Sequence, residues 1–180
     1  MRHDNEPASK QIWKGQLVAE HQIGEREVTR RVLEHLGDLG ISFEKIEHEV
    51  VTTSEAAAGA RASRLEEGAK ALIVKAKDRY VHLIISAAQR VDNAKLRRLL
   101  GSRKLRFATP KELMELTGCL PGAVPPFGNL FGLEVYMDDA LLAEDTVYFN
   151  CGSHTVSLRM KREDLARAAE ATVADFRREE

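Results

Sequence analysis

Gly68-Ala69-Lys70-Ala71-Leu72-Ile73-Val74-Lys75-Ala76-Lys77-Asp78-Arg79-Tyr80-Val81-His82-Leu83-Ile84-Ile85-Ser86 holds two β-rich runs, Lys70 to Lys77 and Arg79 to Ser86, separated only by Asp78. Two such runs with so short a break predict a β-hairpin. Upstream, Val28, Val32, Leu36 and Leu39 recur at helical spacing before Gly40, which predicts a helix over residues 25 to 39. Phe43 to Val51 reads as extended. An alanine-rich helix is expected from Ser54 to Ala60, behind Thr52-Thr53 as a suitable N-cap. Downstream, Ala94 to Leu100 reads as a short helix closed by Gly101, and Lys104 to Ala108 as a strand. Thr109-Pro110-Lys111-Glu112 is a strong helix start: Thr caps, Pro suits the first helical position, and Glu sits where a capping box needs it. Leu133 to Asp138, Thr146 to Asn150 and Thr155 to Met160 read as strands, and a polar, alanine-rich helix is expected from Arg162 to Arg178. Strands and helices are interspersed without regular βαβ alternation. The expected fold class is therefore α+β with a mixed sheet.

The bulk numbers bound the function. With 180 residues, 43% hydrophobic and 31% charged, the chain fits one domain with a real core. We expect residues 1–24 to be an N-terminal extension and 25–180 to be the domain. No apolar run approaches the ~20 residues of a membrane helix. Met1-Arg2-His3-Asp4-Asn5-Glu6 lacks the order of a secretory signal, so a cytoplasmic protein without membrane contact is expected. Two cysteines, Cys119 and Cys151, give neither a disulfide framework nor a metal-ligand spacing. The formal charge of −1 argues against indiscriminate nucleic-acid coating. Between Arg90 and Lys111, however, eight basic residues face one acid, Asp92, so that stretch is +7 and the remainder −8. It is either a solvated surface or a local patch that meets phosphates.

Two segments carry candidate chemistry. Gly118-Cys119-Leu120-Pro121-Gly122-Ala123-Val124-Pro125-Pro126-Phe127-Gly128 packs three glycines and three prolines into eleven residues, fixing the backbone while leaving it open. It is a tight structural loop or a wall of amides for a developing oxyanion. Asn150-Cys151-Gly152-Ser153-His154 ends a β-like run in a Gly-Ser-His turn. Neighbouring residues on an extended chain point to opposite sides, so Ser153 and His154 are not a nucleophile–base pair. Lys70 is either a strand-end lysine with its ammonium in water or a cation at the mouth of a β-lined pocket. Period two puts it on the face opposite Lys75 and Lys77.

Taken in order, Gly68 to Val74, Lys104 to Leu113, Thr117 to Gly128 and Asn150 to Thr155 resemble the YbaK family, which includes the editing domain inserted in bacterial prolyl-tRNA synthetase. The resemblance runs from Glu25 to Leu165. It implies a mixed β-sheet or barrel-like core with flanking helices, and hydrolysis of the ester joining a wrong amino acid to tRNA. The implied substrate is a small amino acid of the alanine, cysteine, serine or threonine class on a tRNA such as tRNA-Pro. No metal or organic cofactor is implied. The nucleophile would be water, or a group of the substrate itself. Lys70 takes the place of the family's pocket lysine, anchoring the terminal adenosine and the acyl end. Gly122 to Pro126 match the Gly-x-x-x-Pro loop that would hold the carbonyl. Gly152, Ser153 and His154 match the turn that would close the pocket. Gly118, Ala123 and Pro126 would contact substrate, while Arg98, Arg103 and Lys104 would meet the acceptor stem.

Two further function classes stand beside this one. A non-catalytic module of the same fold would bind aminoacyl-tRNA or dock on a synthetase; general DNA binding through the basic stretch is opposed by the net charge and by the lack of a helix-turn-helix or zinc pattern. The expected partners are the acceptor end of aminoacyl-tRNA and a synthetase, with the protein a monomer or homodimer.

Overall fold

The computed structural model describes residues 24–179; the expected N-terminal extension lies outside them, save for Gly24. Helix α1 (residues 24–38) leads into β1 (Phe43–Glu47) and α2 (Ser54–Arg61). Then come β2 (Ala69–Ala76), β3 (Arg79–Ser86), α3 (Asn93–Leu99), β4 (Leu105–Phe107) and α4 (Pro110–Thr117). After the Gly/Pro loop follow β5 (Glu134–Asp138), β6 (Thr146–Asn150), β7 (Val156–Lys161), α5 (Arg162–Ala168) and β8 (Thr172–Ala174).

The strands form two sheets that do not close into a barrel. One is β1-β7-β6, wholly antiparallel; the other is β4-β2-β3-β5-β8, mixed, with β5 parallel to both β3 and β8. The hairpin runs in the register Lys70↔Ile85 and Lys75↔Tyr80, turning at Lys77-Asp78. The sheets meet at Gly68, which bridges Tyr148 of β6, while the Tyr148 amide donates to the Glu67 carbonyl at 2.9 Å. β3 is buried on both faces. Ile84 joins the larger core with Ile73, Phe149 and Leu158, whereas Leu83 and Ile85 join a second cluster with Leu96 and Phe176. Burying each such side chain stabilises the fold by about 1.5–3 kcal/mol.

Local signals produced the elements they predicted. Thr53 Oγ1 caps α2 by accepting from the Ala56 amide. Thr109 and Glu112 form the full capping box of α4, with Pro110 at its start. Gly118 ends α4 at φ 71°. The continuous helix from Arg162 to Arg178 is not formed. α5 stops at Ala168, Glu170 takes a φ of 50°, and Thr172–Ala174 pair with β5. Two β-branched residues beside an open strand edge, together with the complete burial of Phe176, outweigh alanine's helix preference.

Candidate active site

A cavity of about 200 Å³ opens between α2, the start of β2, the end of β6 and the Gly/Pro loop. Lys70, Gly122, Arg61, Ser63 and Asn150 are among its lining residues, with Phe149 on an apolar wall. Gly68 belongs to the lining for a steric reason: a Cβ there would lie 2.8 Å from Ala87 Cβ and 3.2 Å from the Leu65 carbonyl oxygen. Close approach of these backbones needs glycine.

Lys70 projects from β2, and its Nζ donates to the Gln89 carbonyl at 2.6 Å and to the Ala87 carbonyl at 3.4 Å. Burial, and next the charge of Arg90, hold its pKa below the usual lysine value, with Glu55 acting the other way. Arg61 lies at the last turn of α2. Its Nε donates to Ser157 Oγ at 2.8 Å and one terminal nitrogen donates to Asn150 Oδ1. Burial pulls the Arg61 pKa down to about 10. Asn150 in turn donates through Nδ2 to the Gly122 carbonyl. The lining thus carries two cations and no carboxylate. Such a wall favours anionic groups and oxygens on which negative charge grows.

The expected site residues divide. Lys70 and Gly122 share the cavity; Gly152, Ser153 and His154 are outside its lining, as are Gly118, Ala123 and Pro126. The Gly-Ser-His turn touches the first motif instead. The His154 ring bonds the Pro121 carbonyl through Nε2 at 2.9 Å, with Nδ1 3.6 Å from the Glu25 carboxylate. Ser153 Oγ lies 3.0 Å from Thr155 Oγ1 and 3.4 Å from Glu25, so Ser153 and His154 form no hydrogen bond with each other. Gly152, at φ 77°, lets α1 pass: a Cβ on it would lie 2.7 Å from Val28 Cγ1. Ala123 is fully buried, and its amide is spent on the Leu120 carbonyl at 3.1 Å. At the far end of the loop, Gly128 packs on the fully buried His82, where a Cβ would come within 2.5 Å.

Of the basic stretch, Arg90 acts on Lys70 through its charge, from outside the cavity lining. Part of the stretch is neutralised: Lys95 pairs with Asp175 and Glu179, Arg106 with Glu112, and Lys111 with Glu115. Arg98, Arg103 and Lys104 are exposed and make no ion pair among the described residues. Elsewhere, Asp138, Asp139 and Asp175 cluster closely enough to share a cation, and the Arg177 guanidinium pairs with all three. Among the described residues no helix is long and apolar enough to cross a membrane.

Motif reading from sequence missed Arg61 and Ser63. A signal existed: Ala57 and Arg61 stand four residues apart and so share one face of α2, and Ala57 is buried. An arginine on the buried face of an alanine-rich helix marks a polar interior site.

Residues 48–168 match the sequence family described as the aminoacyl-tRNA editing domain. The chain belongs to this family. It is 34% identical over 154 residues to the multifunctional Ser/Thr-tRNA deacylase ProXp-y of Escherichia coli (strain K12), covering 83% of this chain and 92% of that protein. It is 28% identical to the prolyl-tRNA editing protein ProX of Acetoanaerobium sticklandii, covering 81% and 93%. A solved structure described as a candidate trans-editing enzyme for prolyl-tRNA synthetase superposes with a TM-score of 0.77 at 31% identity, over 84% of this chain and 98% of that one. These relatives agree with the α+β architecture and the editing family expected from the motifs.

Proposed function

We propose that this member of the editing family is a trans-acting deacylase. It hydrolyses the ester joining a wrongly attached small amino acid, of the alanine, cysteine, serine or threonine class, to a tRNA such as tRNA-Pro. The observation that carries this reading is the meeting of Lys70 and Gly122 in one small cavity that holds two cations and no acid. The printed names of the E. coli and A. sticklandii relatives support it.

The chemistry follows from the lining. Attack on the ester carbonyl places negative charge on its oxygen, and fixed donors in a partly water-excluded cavity stabilise that charge more than bulk water does. Lys70, held by two backbone carbonyls, anchors the terminal ribose and phosphate. The Gly122 segment, fixed through Asn150, receives the ester carbonyl. Thr52, Thr53, Ser54 and Ser63 place hydroxyls in the lining, but no His, Asp or Glu lines it to serve as their base. Cys119 and Cys151 are fully buried, and burial pushes both thiols up to about 12. The attacking group is therefore water or a hydroxyl of the substrate, with orientation supplying much of the rate. Gly152, Ser153 and His154 support the Gly122 loop through the His154–Pro121 bond. Arg98, Arg103 and Lys104 give the acceptor stem its phosphate contacts.

A panel of mischarged tRNAs, incubated with the wild-type protein and with Lys70→Ala, tests this. Release of at least one amino acid by the wild type, lost or reduced by about a hundredfold or more in the variant, is the expected result. Deacylation at the wild-type rate without Lys70 overturns the assigned role. Binding without turnover across the panel favours the non-catalytic module.

A further inference from the structure

One wall of the cavity carries hydrogen-bonding capacity that the protein does not satisfy internally. A guanidinium has five N–H donors. Arg61 directs one to Ser157 and one to Asn150, and no carboxylate pairs with it among the described residues. Two residues on, beyond the left-handed Ala62 that ends α2, Ser63 lines the same cavity. Its Oγ is buried and has no hydrogen-bond partner. A buried polar group without a partner is disfavoured in a folded protein, so the unpartnered Ser63 hydroxyl, on one wall with a guanidinium that has donors to spare, points to a ligand that completes it.

The type of ligand follows from the donors. Arg61 can only donate, whereas Ser63 both donates and accepts. A substrate hydroxyl satisfies both at once, accepting from Arg61 and donating to Ser63; a methyl satisfies neither. Location assigns this wall to the acyl end. Arg61 bonds Asn150, and Asn150 bonds the Gly122 carbonyl, whereas Lys70 is tied to the Ala87–Gln89 segment.

We propose that Arg61 and Ser63 form a hydroxyl-recognising subsite that makes this enzyme select seryl and threonyl esters over alanyl esters. The inference rests on the deacylase reading and deepens it. Sites built to bond a hydroxyl discriminate strongly against analogues that lack one, because their own polar groups are left unpaired.

The test is kcat/KM on one tRNA charged separately with serine, threonine and alanine, for wild type, Ser63→Ala and Arg61→Gln. The wild type should prefer serine and threonine over alanine by about tenfold or more. Ser63→Ala, which breaks no bond within the protein, should lower that ratio by about ten- to a hundredfold. Arg61→Gln should lower it in the same direction, and circular dichroism will show whether this variant is folded. A wild type that cleaves alanyl ester as fast as seryl ester, or a Ser63→Ala ratio equal to the wild type, overturns the subsite alone. Absence of cleavage of every ester overturns the deacylase reading as well. Loss of the preference on adding inorganic phosphate, with Ser63→Ala insensitive to it, would reassign the wall to a phosphate and overturn the proposal.

Discussion

Asn150 grips Gly122: the side-chain amide at the end of β6 donates to the carbonyl oxygen of a glycine that precedes it by 28 residues. The same side chain accepts from Arg61, so a backbone wall expected to meet the substrate is fixed from two directions. Asn150→Ala removes both bonds, together with the one its Oδ1 accepts from Ser157 Oγ at 3.3 Å, and leaves a partly buried guanidinium with one fewer acceptor. We expect kcat to fall about tenfold or more and urea stability to fall by about 1–3 kcal/mol. Asn150→Asp keeps the acceptor and loses the donor; it should recover stability but not rate.

Gly152 is fixed by sterics more than by chemistry. Alanine there places Cβ 2.7 Å from Val28 Cγ1 and 3.2 Å from the Thr29 amide, at a φ of 77° that side chains avoid. Gly152→Ala should destabilise the protein by about 2–4 kcal/mol in equilibrium denaturation. Adding Val28→Ala should restore part of the loss, because the two sites share one contact.

The alkaline side of the pH–rate profile should report Lys70. Its pKa is lowered by burial and by Arg90. A lysine is cationic below its pKa and neutral above it, so a reaction that uses the ammonium is sustained at neutrality and declines earlier on the alkaline side than an ordinary lysine would allow. Lys70→Arg should keep part of the activity and carry the plateau to higher pH. Arg90→Ala should move the wild-type limb upward.

The exposed basic residues should read phosphate charge without reading the amino acid. Replacing Arg98, Arg103 and Lys104 by glutamine should weaken tRNA binding and reduce the slope of log K against log salt by about one per residue removed. The serine-to-alanine preference should stay the same. Filter binding between low and moderate salt checks this.

Cys119 and Cys151 should resist thiol reagents in the native state, since burial holds both near 12. Labelling at neutral pH is expected only on unfolding; rapid native labelling would show that one of them is exposed during motion.

Much of this was legible because it is local. The hairpin, the Thr109–Glu112 capping box and the Gly118 stop each depend on residues within a few positions of one another, and each formed as read. The C-terminal segment was misread because its strand depends on β5, more than thirty residues away. The candidate site was legible only in part, for the same reason. Lys70 and Gly122 fall in motifs. Arg61 sits in an ordinary alanine-rich helix, and its partners Asn150 and Ser157 lie 89 and 96 residues downstream. The Gly-Ser-His turn is outside the lining: His154 bonds the Pro121 carbonyl beside Gly122, and Gly152 packs on α1.

A lining with two positive groups and no counter-charge has a practical side for anyone measuring turnover. Small multivalent anions will seek Lys70 as readily as a nucleic-acid end does. Rates taken in phosphate or sulfate would mix inhibition with catalysis, whereas amine buffers with chloride would leave the chamber to its own substrate.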